Sequence, residues 1–309
     1  MISPLSISTN SLKPMGSGLD IYVESLGNFR DNRGYAIQFL LPRLRDAGIR
    51  VRILDRPAAG NEARNAAGNR AEAAFLHIDL TELPEAYHGI RHQYPRTING
   101  EALSIHRYLY STLRLRPGEA HDGPVIVKTV LNSHGRPELR WRQYRNAWTR
   151  IAHASRKLVS PGFKQRQCPP YRVYRSIGEV PEADWQDERL MVEKFAFPTL
   201  DLPIVKHRCY FLFDTELNMK QVYDDILCAS NKILSNEASN DPIPESVQAV
   251  RRRLKLDYGA IDYFLVDGDA VVVDVNMTSG ASAEWLKRNA FRREFNDRVV
   301  ARLIDFVRQ

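Results

Sequence analysis

GAIDYFLVDGDAVVVDVN, residues 259–276, is the stretch on which the reading of this chain turns. It holds two β-prone runs separated by Asp267-Gly268, a dipeptide suited to the two-residue turn that closes a β-hairpin. Asp262 stands on the first run. Asp274 and Asn276 stand on the second, two apart and so on one face. Facing residues of a hairpin lie ~5 Å apart, so the three oxygen-bearing side chains can share a site. Two carboxylates and an amide oxygen are hard ligands that suit Mg²⁺, which completes its octahedron with water and substrate phosphates. Their neighbours are nearly all apolar, and an acid in such a run is costly unless something compensates it. The competing reading is a solvated strand end.

Upstream, the same conflict recurs. VIVKTV (125–130) is a buried-looking strand carrying one cation, Lys128, and lysines are rarely buried without a partner. The loop after it, Asn132-Ser133-His134-Gly135, is polar and tight enough to present backbone N–H groups to an anion. RLMVEKF (189–195) sets Glu193 at the end of another apolar strand, and Lys206-His207-Arg208 opens the next.

Further out, residues 19–56 read as strand, loop, helix and strand, with Gly48 as the helix C-cap. AAFLHIDL (73–80) is a third strand, 81–95 a short helix, and 98–113 a turn and helix. This alternation predicts a small parallel α/β layer. RLRPGEAHDGP (114–124) reads as a linker. Beyond it, 137–154 predicts a long helix, HRCYFLFD and MKQVYDD a hairpin around TELN (215–218), 244–256 a helix, and 290–308 a closing amphipathic helix.

Taken in order, a strand lysine, a polar glycine loop, a strand ending in an acid, a strand arginine and a terminal D…D-x-N hairpin resemble the ATP-grasp superfamily. The matching motifs are VIVK (125–128), MVEKF (191–195), HRCYF (207–211) and the hairpin 259–276, over about 95–309. YPRTINGEALSIHRYLYS (94–111) is similar to a segment leading into the nucleotide site of a group of bacterial ATP-grasp proteins. The resemblance implies an α/β (α+β) ATP-grasp fold. An N-terminal Rossmann-like layer (19–113) would follow a flexible tail (1–18). A small subdomain (114–197) and a large, metal-binding one (198–309) would clasp the nucleotide.

The resemblance also implies roles. Lys128 would contact phosphate. Glu193 and the backbone of Lys194 and Phe195 would form the hinge that reads adenine. Arg208 would stabilise phosphoryl oxygens, and Asp262, Asp274 and Asn276 would hold one or two Mg²⁺, with Mn²⁺ also allowed. Charge neutralisation and alignment are what phosphoryl transfer chiefly needs. An early lysine frequent in such proteins is replaced here, so His106 or Arg107 would stand in for it. Thr278, Ser279 and Gly280 would line the acceptor pocket. The activity implied is an ATP-dependent carboxylate–amine ligase, in which a small-molecule or peptide carboxylate becomes an acyl phosphate and an amine then forms the amide. Alternatives are a small-molecule kinase of the same fold, or a nucleotide- or RNA-binding protein without catalysis.

Composition sets the bounds. The chain has 309 residues, 43% hydrophobic and 26% charged, which argues against global disorder. No apolar run approaches the ~18–20 residues that span a bilayer, and no secretory signal is visible, so no membrane partner is expected. Three cysteines without CxxC pairing argue against a disulfide scaffold, and a cytoplasmic setting is expected. Lys+Arg 44 against Asp+Glu 37 gives +7; residues 136–175 hold eleven Lys/Arg and one acid, so this segment alone carries +10. It reads as a solvated helix face, as an electropositive wall that draws an acidic substrate, or as an RNA surface. No RRM or KH motif is present, which argues against nucleic acid. A homodimer is left open. No P-loop motif occurs, and Gly16-Ser17-Gly18 precedes a strand rather than following one.

Overall fold

A computed structural model describes residues 17–31, 34–55, 71–144, 148–149, 168–197, 200–280, 286 and 289–309. The expected tail and most of the basic segment after Tyr144 lie outside the described residues. Among the described residues, three sheets organise the mixed α/β architecture.

The first sheet has the order β2-β1-β3-β4 and is parallel throughout, from β1 (Gly18–Tyr22), β2 (Arg50–Leu54), β3 (Ala73–Leu76) and β4 (Arg96–Ile98). GLDIY and AAFL are buried at every position, as a parallel strand covered on both faces requires. Asp20, inside β1, is tolerated because Arg52 on β2 binds both its oxygens and Tyr94 donates to it. Helices α1 (Leu26–Asp31) and α2 (Ile37–Asp46) follow β1, and α2 ends at Gly48, whose φ of +81° favours glycine.

The second sheet is antiparallel, order β6-β5-β7, from β5 (Val125–Thr129), β6 (Arg172–Tyr174) and β7 (Leu190–Lys194). Helix α3 (Arg136–Tyr144) starts just beyond β5, and α4 (Glu182–Gln186) precedes β7. The third sheet, also antiparallel, runs β10-β9-β8-β11-β12: β8 (Ile204–Leu212), β9 (Thr215–Tyr223), β10 (Ile233–Ala238), β11 (Tyr258–Val266) and β12 (Asp269–Asn276). Its final hairpin closes at Asp267 and Gly268 with φ of +52° and +89°, the two left-handed residues of a type I′ turn.

Both faces of the third sheet are covered. Cys209, Phe211, Ile261 and Tyr263 pack under α5 (Glu245–Arg253) with Val247 and Val250. On the other face Tyr210, Leu212, Tyr258 and Ala260 join the first sheet, α2 and α6 (Ala290–Arg308) in one core. Phe295, Val299, Leu303 and Val307, each four apart, bury one stripe of α6 there. Asn99 clips the unit together: its Oδ1 accepts from the N–H groups of Asp257 and Tyr258, and its Nδ2 donates to the Tyr258 carbonyl.

Three sequence expectations are corrected. The helix expected within 98–113 is only a single tight turn, Arg107–Leu109. The backbone here bonds elsewhere, Ile105 N–H to the Thr81 carbonyl and Leu83 N–H to that of Leu103. The β8–β9 turn falls at Phe213-Asp214, and TELN belongs to β9, where buried Asn218 accepts from the Tyr263 hydroxyl. Strand β10, a half-exposed edge, was not expected at all. All three cysteines are free thiols. No helix among the described residues is long and apolar enough to cross a membrane.

Candidate active site

The face that the third sheet shares with the first core is apolar at its ends and charged in its middle. Along β11 it presents Tyr258, Ala260, Asp262 and Phe264; along β8 it presents Leu212, Tyr210, Arg208, Lys206 and Ile204. Tyr258 and Leu212 pack toward the first sheet, while Phe264 and Ile204 pack with Ile126 and Phe195 of the second-sheet region. The charged centre lies between these apolar contacts, at the floor of a cavity of about 310 Å³.

Register places the charges in one row. Asp262 pairs with Arg208 on one side and with Asp274 on the other. Arg208 Nε and Nη2 donate to the two Asp262 oxygens at 2.5 and 3.1 Å, and Lys206 Nζ reaches Oδ2 at 3.1 Å. Burial alone would push the Asp262 carboxyl up; the guanidinium and the ammonium outweigh it and hold it below the ordinary value. Burial likewise lowers Lys206 and Arg208, yet Asp262 wins at both and leaves them raised.

A bulge at Asp262/Tyr263 leaves Val273 without a cross-strand partner, so the Val273 carbonyl and the Asp274 carboxylate both face Arg107. Arg107 is 2% exposed. It donates to the Val273 carbonyl at 2.6 Å, Asp274 Oδ1 at 2.8 Å, the Thr129 carbonyl at 3.1 Å and the Tyr171 hydroxyl at 3.1 Å. Asn276 Nδ2 donates to Asp274 Oδ2, and Asn132 Nδ2 donates to Asn276 Oδ1. Gly259 is required beside them, because a Cβ there would run into the Asn276 carbonyl.

The second sheet supplies the opposite wall. Lys128 Nζ lies 2.9 Å from Glu193 Oε2, and both side chains are under 10% exposed. Burial would raise the Glu193 carboxyl, but Lys128 and Arg107 hold it below its ordinary value. The N–H groups of Lys194 and Phe195 bind the Leu113 and Pro124 carbonyls; the next residue, Ala196, lines the cavity. Ser133, His134 and Gly135 have φ of +48°, +62° and +71° in succession, and Ser133 and His134 line the cavity. Such a run gathers N–H groups on one side, at a cost of about 1 kcal/mol or more per non-glycine residue.

The structure therefore brings Lys128, Lys194, Phe195, Arg107, Asp262 and Asp274 to one cavity. His106 is not in its lining; it stacks on Tyr108 instead. Asn276 and Arg208 line an adjoining cavity of about 270 Å³ with Thr278, Gly280, Tyr35 and Asp79. Lys206, visible in the sequence only as the start of a basic run, proves to be a partner of Asp262. Its spacing of two from Arg208 was the available signal, since both must then share a face. Among the described residues no cluster of three His, Cys, Asp or Glu side chains is set to hold a metal ion.

No family model and no curated protein matches this sequence. Solved structures are similar to it. A D-alanine–D-alanine ligase from Bacillus anthracis is 11% identical over 94% of this chain and 99% of its own, with a TM-score of 0.45. The ATP-grasp ligase PsnB bound to a minimal precursor is 12% identical over 91% and 98%, TM-score 0.48. The macrocyclase MdnB from Microcystis aeruginosa is 12% identical over 94% and 99%, TM-score 0.43. In its mixed α/β architecture and its motif order, the chain resembles the ATP-grasp superfamily.

Proposed function

We propose that the chain is an ATP-dependent carboxylate–amine ligase that works through an acyl phosphate. The observation that carries this is the row Arg208–Asp262–Asp274, set beneath a cavity that is apolar at one end and cationic at the other. Ile126, Phe195, Ile226 and Phe264 offer flat apolar surface for a base, and the backbone at Lys194 to Ala196 runs along its edge. With Lys128 paired to Glu193, Arg107, Arg136, Lys194 and Lys206 supply four cations against the two carboxylates, a surplus that suits a triphosphate. The left-handed run Ser133–Gly135 adds backbone N–H groups at the same end.

Asp274 and Asn276 suit a hard, oxygen-bound Mg²⁺, with Mn²⁺ accepted by the same donors. Asp262, whose oxygens Arg208 and Lys206 hold here, would join them only if a triphosphate drew those two cations toward itself. A bound divalent ion would neutralise phosphate charge. Arg208 lines the second cavity and bonds to Asp262 of the first, so a substrate carboxylate oxygen held there attacks the γ-phosphorus, the β–γ bridging P–O bond breaks and ADP leaves. An amine then forms the C–N bond at the acyl carbon and phosphate departs.

The test is ADP release against panels of acids and amines, with the product identified by mass. An amide with stoichiometric ADP supports the proposal. A phosphorylated product without amide would make the chain a kinase. Binding comes first: a non-hydrolysable ATP analogue at ~100 times its Kd should add about 2.7 kcal/mol of stability, and only with a divalent ion present.

A further inference from the structure

The second cavity carries opposite charges on facing walls. One wall comes from the first-sheet layer. Asp79, 17% exposed, accepts from the Tyr35 hydroxyl at 2.8 Å and the Thr278 hydroxyl at 3.1 Å, and its backbone N–H donates to buried Glu24. Arg140, 39% exposed, pairs with Asp79 Oδ2 at 3.3 Å, a long and solvent-facing ion pair that a substrate ammonium can replace. The other wall comes from the third sheet, with Arg208 and Tyr210.

Behind that wall lies an unexplained cation. Arg292, on α6, is fully buried. Its guanidinium sits 3.7 Å from the centre of the Tyr210 ring, and Nη2 donates to the Ser279 hydroxyl. Ser279 lies between Thr278 and Gly280, both of which line the cavity. Among the described residues Arg292 Nε and Nη1 have no acceptor, and neither its side-chain hydrogen bond nor its ring contacts involve a carboxylate. A buried guanidinium without a counter-charge is costly, and faces on the aromatic rings of Tyr210 and Phe295 offset only part of that cost. An anion held next to it from the cavity side supplies the missing charge.

We propose that this cavity takes a zwitterionic, amino-acid-type substrate, with its ammonium on Asp79 and its carboxylate at the end formed by Arg208 and backed by Arg292. Because Arg208 binds both oxygens of Asp262, which lines the cationic cavity, the carboxylate end lies on the side of the phosphates, so this substrate is the acid that is activated. The last step rests on the ligase reading; the charge pattern of the substrate does not. Arg292 is a positioning residue, acting through Ser279 and Tyr210.

The probes are the common amino acids of both hands, each beside its N-acetyl and carboxamide derivatives, read by thermal shift on the full chain with and without a non-hydrolysable ATP analogue and Mg²⁺. At least one free amino acid should raise the unfolding midpoint, and masking either charge should weaken its apparent affinity about tenfold or more. In D79N the preference for the free amine should vanish while the preference for the free acid stays. In R292M the pattern should reverse, and R292K should restore it. D79N, at a partly exposed position, decides alone if R292M does not fold. Equal binding of free and masked forms, no binding by any free amino acid, or loss of both preferences in D79N overturns the proposal. Charge-selective binding without any response to the ATP analogue would instead sink the ligase reading and leave the zwitterion site standing.

Discussion

Two buried ionic arrangements face each other across the larger cavity, and they are built differently. On the second sheet, Lys128 and Glu193 form a one-to-one pair, nearly closed to solvent. On the third, Asp262 serves two cations, and Arg208 remains 28% exposed. A balanced pair neutralises itself and holds its strands in place. A cluster with one cation in surplus is a standing attraction for an anion. The comparison teaches that burial and ion pairing do not by themselves mark a reactive group; the unmatched charge does.

The largest expected effect lies just beside the surplus cluster. Asp274→Asn should lower ATP turnover by about a hundredfold or more while the fold survives, because the amide oxygen still accepts from Arg107. Steady-state ADP release and an unfolding curve check both halves. Next comes the balanced pair: Lys128→Met takes the bonded cation from buried Glu193, leaving it the Ser111 hydroxyl and the charge of Arg107, and should cost about 3 kcal/mol by denaturant unfolding, most of it recovered in Lys128→Met/Glu193→Leu. Lys206→Met should cost less, about 2 kcal/mol, because Arg208 still neutralises Asp262, yet it should weaken binding of a Mg²⁺–ATP analogue. Equal stability costs at Lys128 and Lys206 would erase the distinction.

His77 sharpens the contrast from another side, as a buried ionisable group with no ion partner. It is 0% exposed among the rings of Phe29, Tyr35, Phe75 and Tyr258, and burial pushes its imidazole down to about 3. A lowered folded value means that its contribution is complete above the unfolded value of about 6.5 and is lost as pH falls toward 3. His77→Phe should therefore remove about 1.4 kcal/mol per pH unit from the slope of stability between pH 6 and 4. The smallest effect is expected at the turn carrying the surplus cluster's strands. Gly268→Ala, at φ +89°, should cost about 1 kcal/mol without changing nucleotide binding.

How much of this could be read from the sequence depended on whether a local rule governed the residue. Asp267-Gly268 announces its own turn, and the period-two spacing of Asp274 and Asn276 fixes their face; both were legible. Lys128 and Glu193 were visible as charges inside apolar strands, but that they bind each other follows from the pairing of β5 with β7 across 65 positions, which no local pattern encodes. The segment around Arg107 has helical composition, and its course is set by long-range bonds to Thr81, Thr129 and the bulge of β12. Asp79 and Arg292 carried no signal at all, since each gains meaning only from the cavity between distant elements.

Arg107 belongs to neither of the two facing sheets, yet it bonds to the end of β5 and to the bulge of β12 together. The two facing sheets are thus tied together at the cationic end of the cavity. On the proposed ligase reading, widening would be largest at the far edge where Phe195 and Phe264 approach through the apolar cluster, and a nucleotide would enter base-edge last.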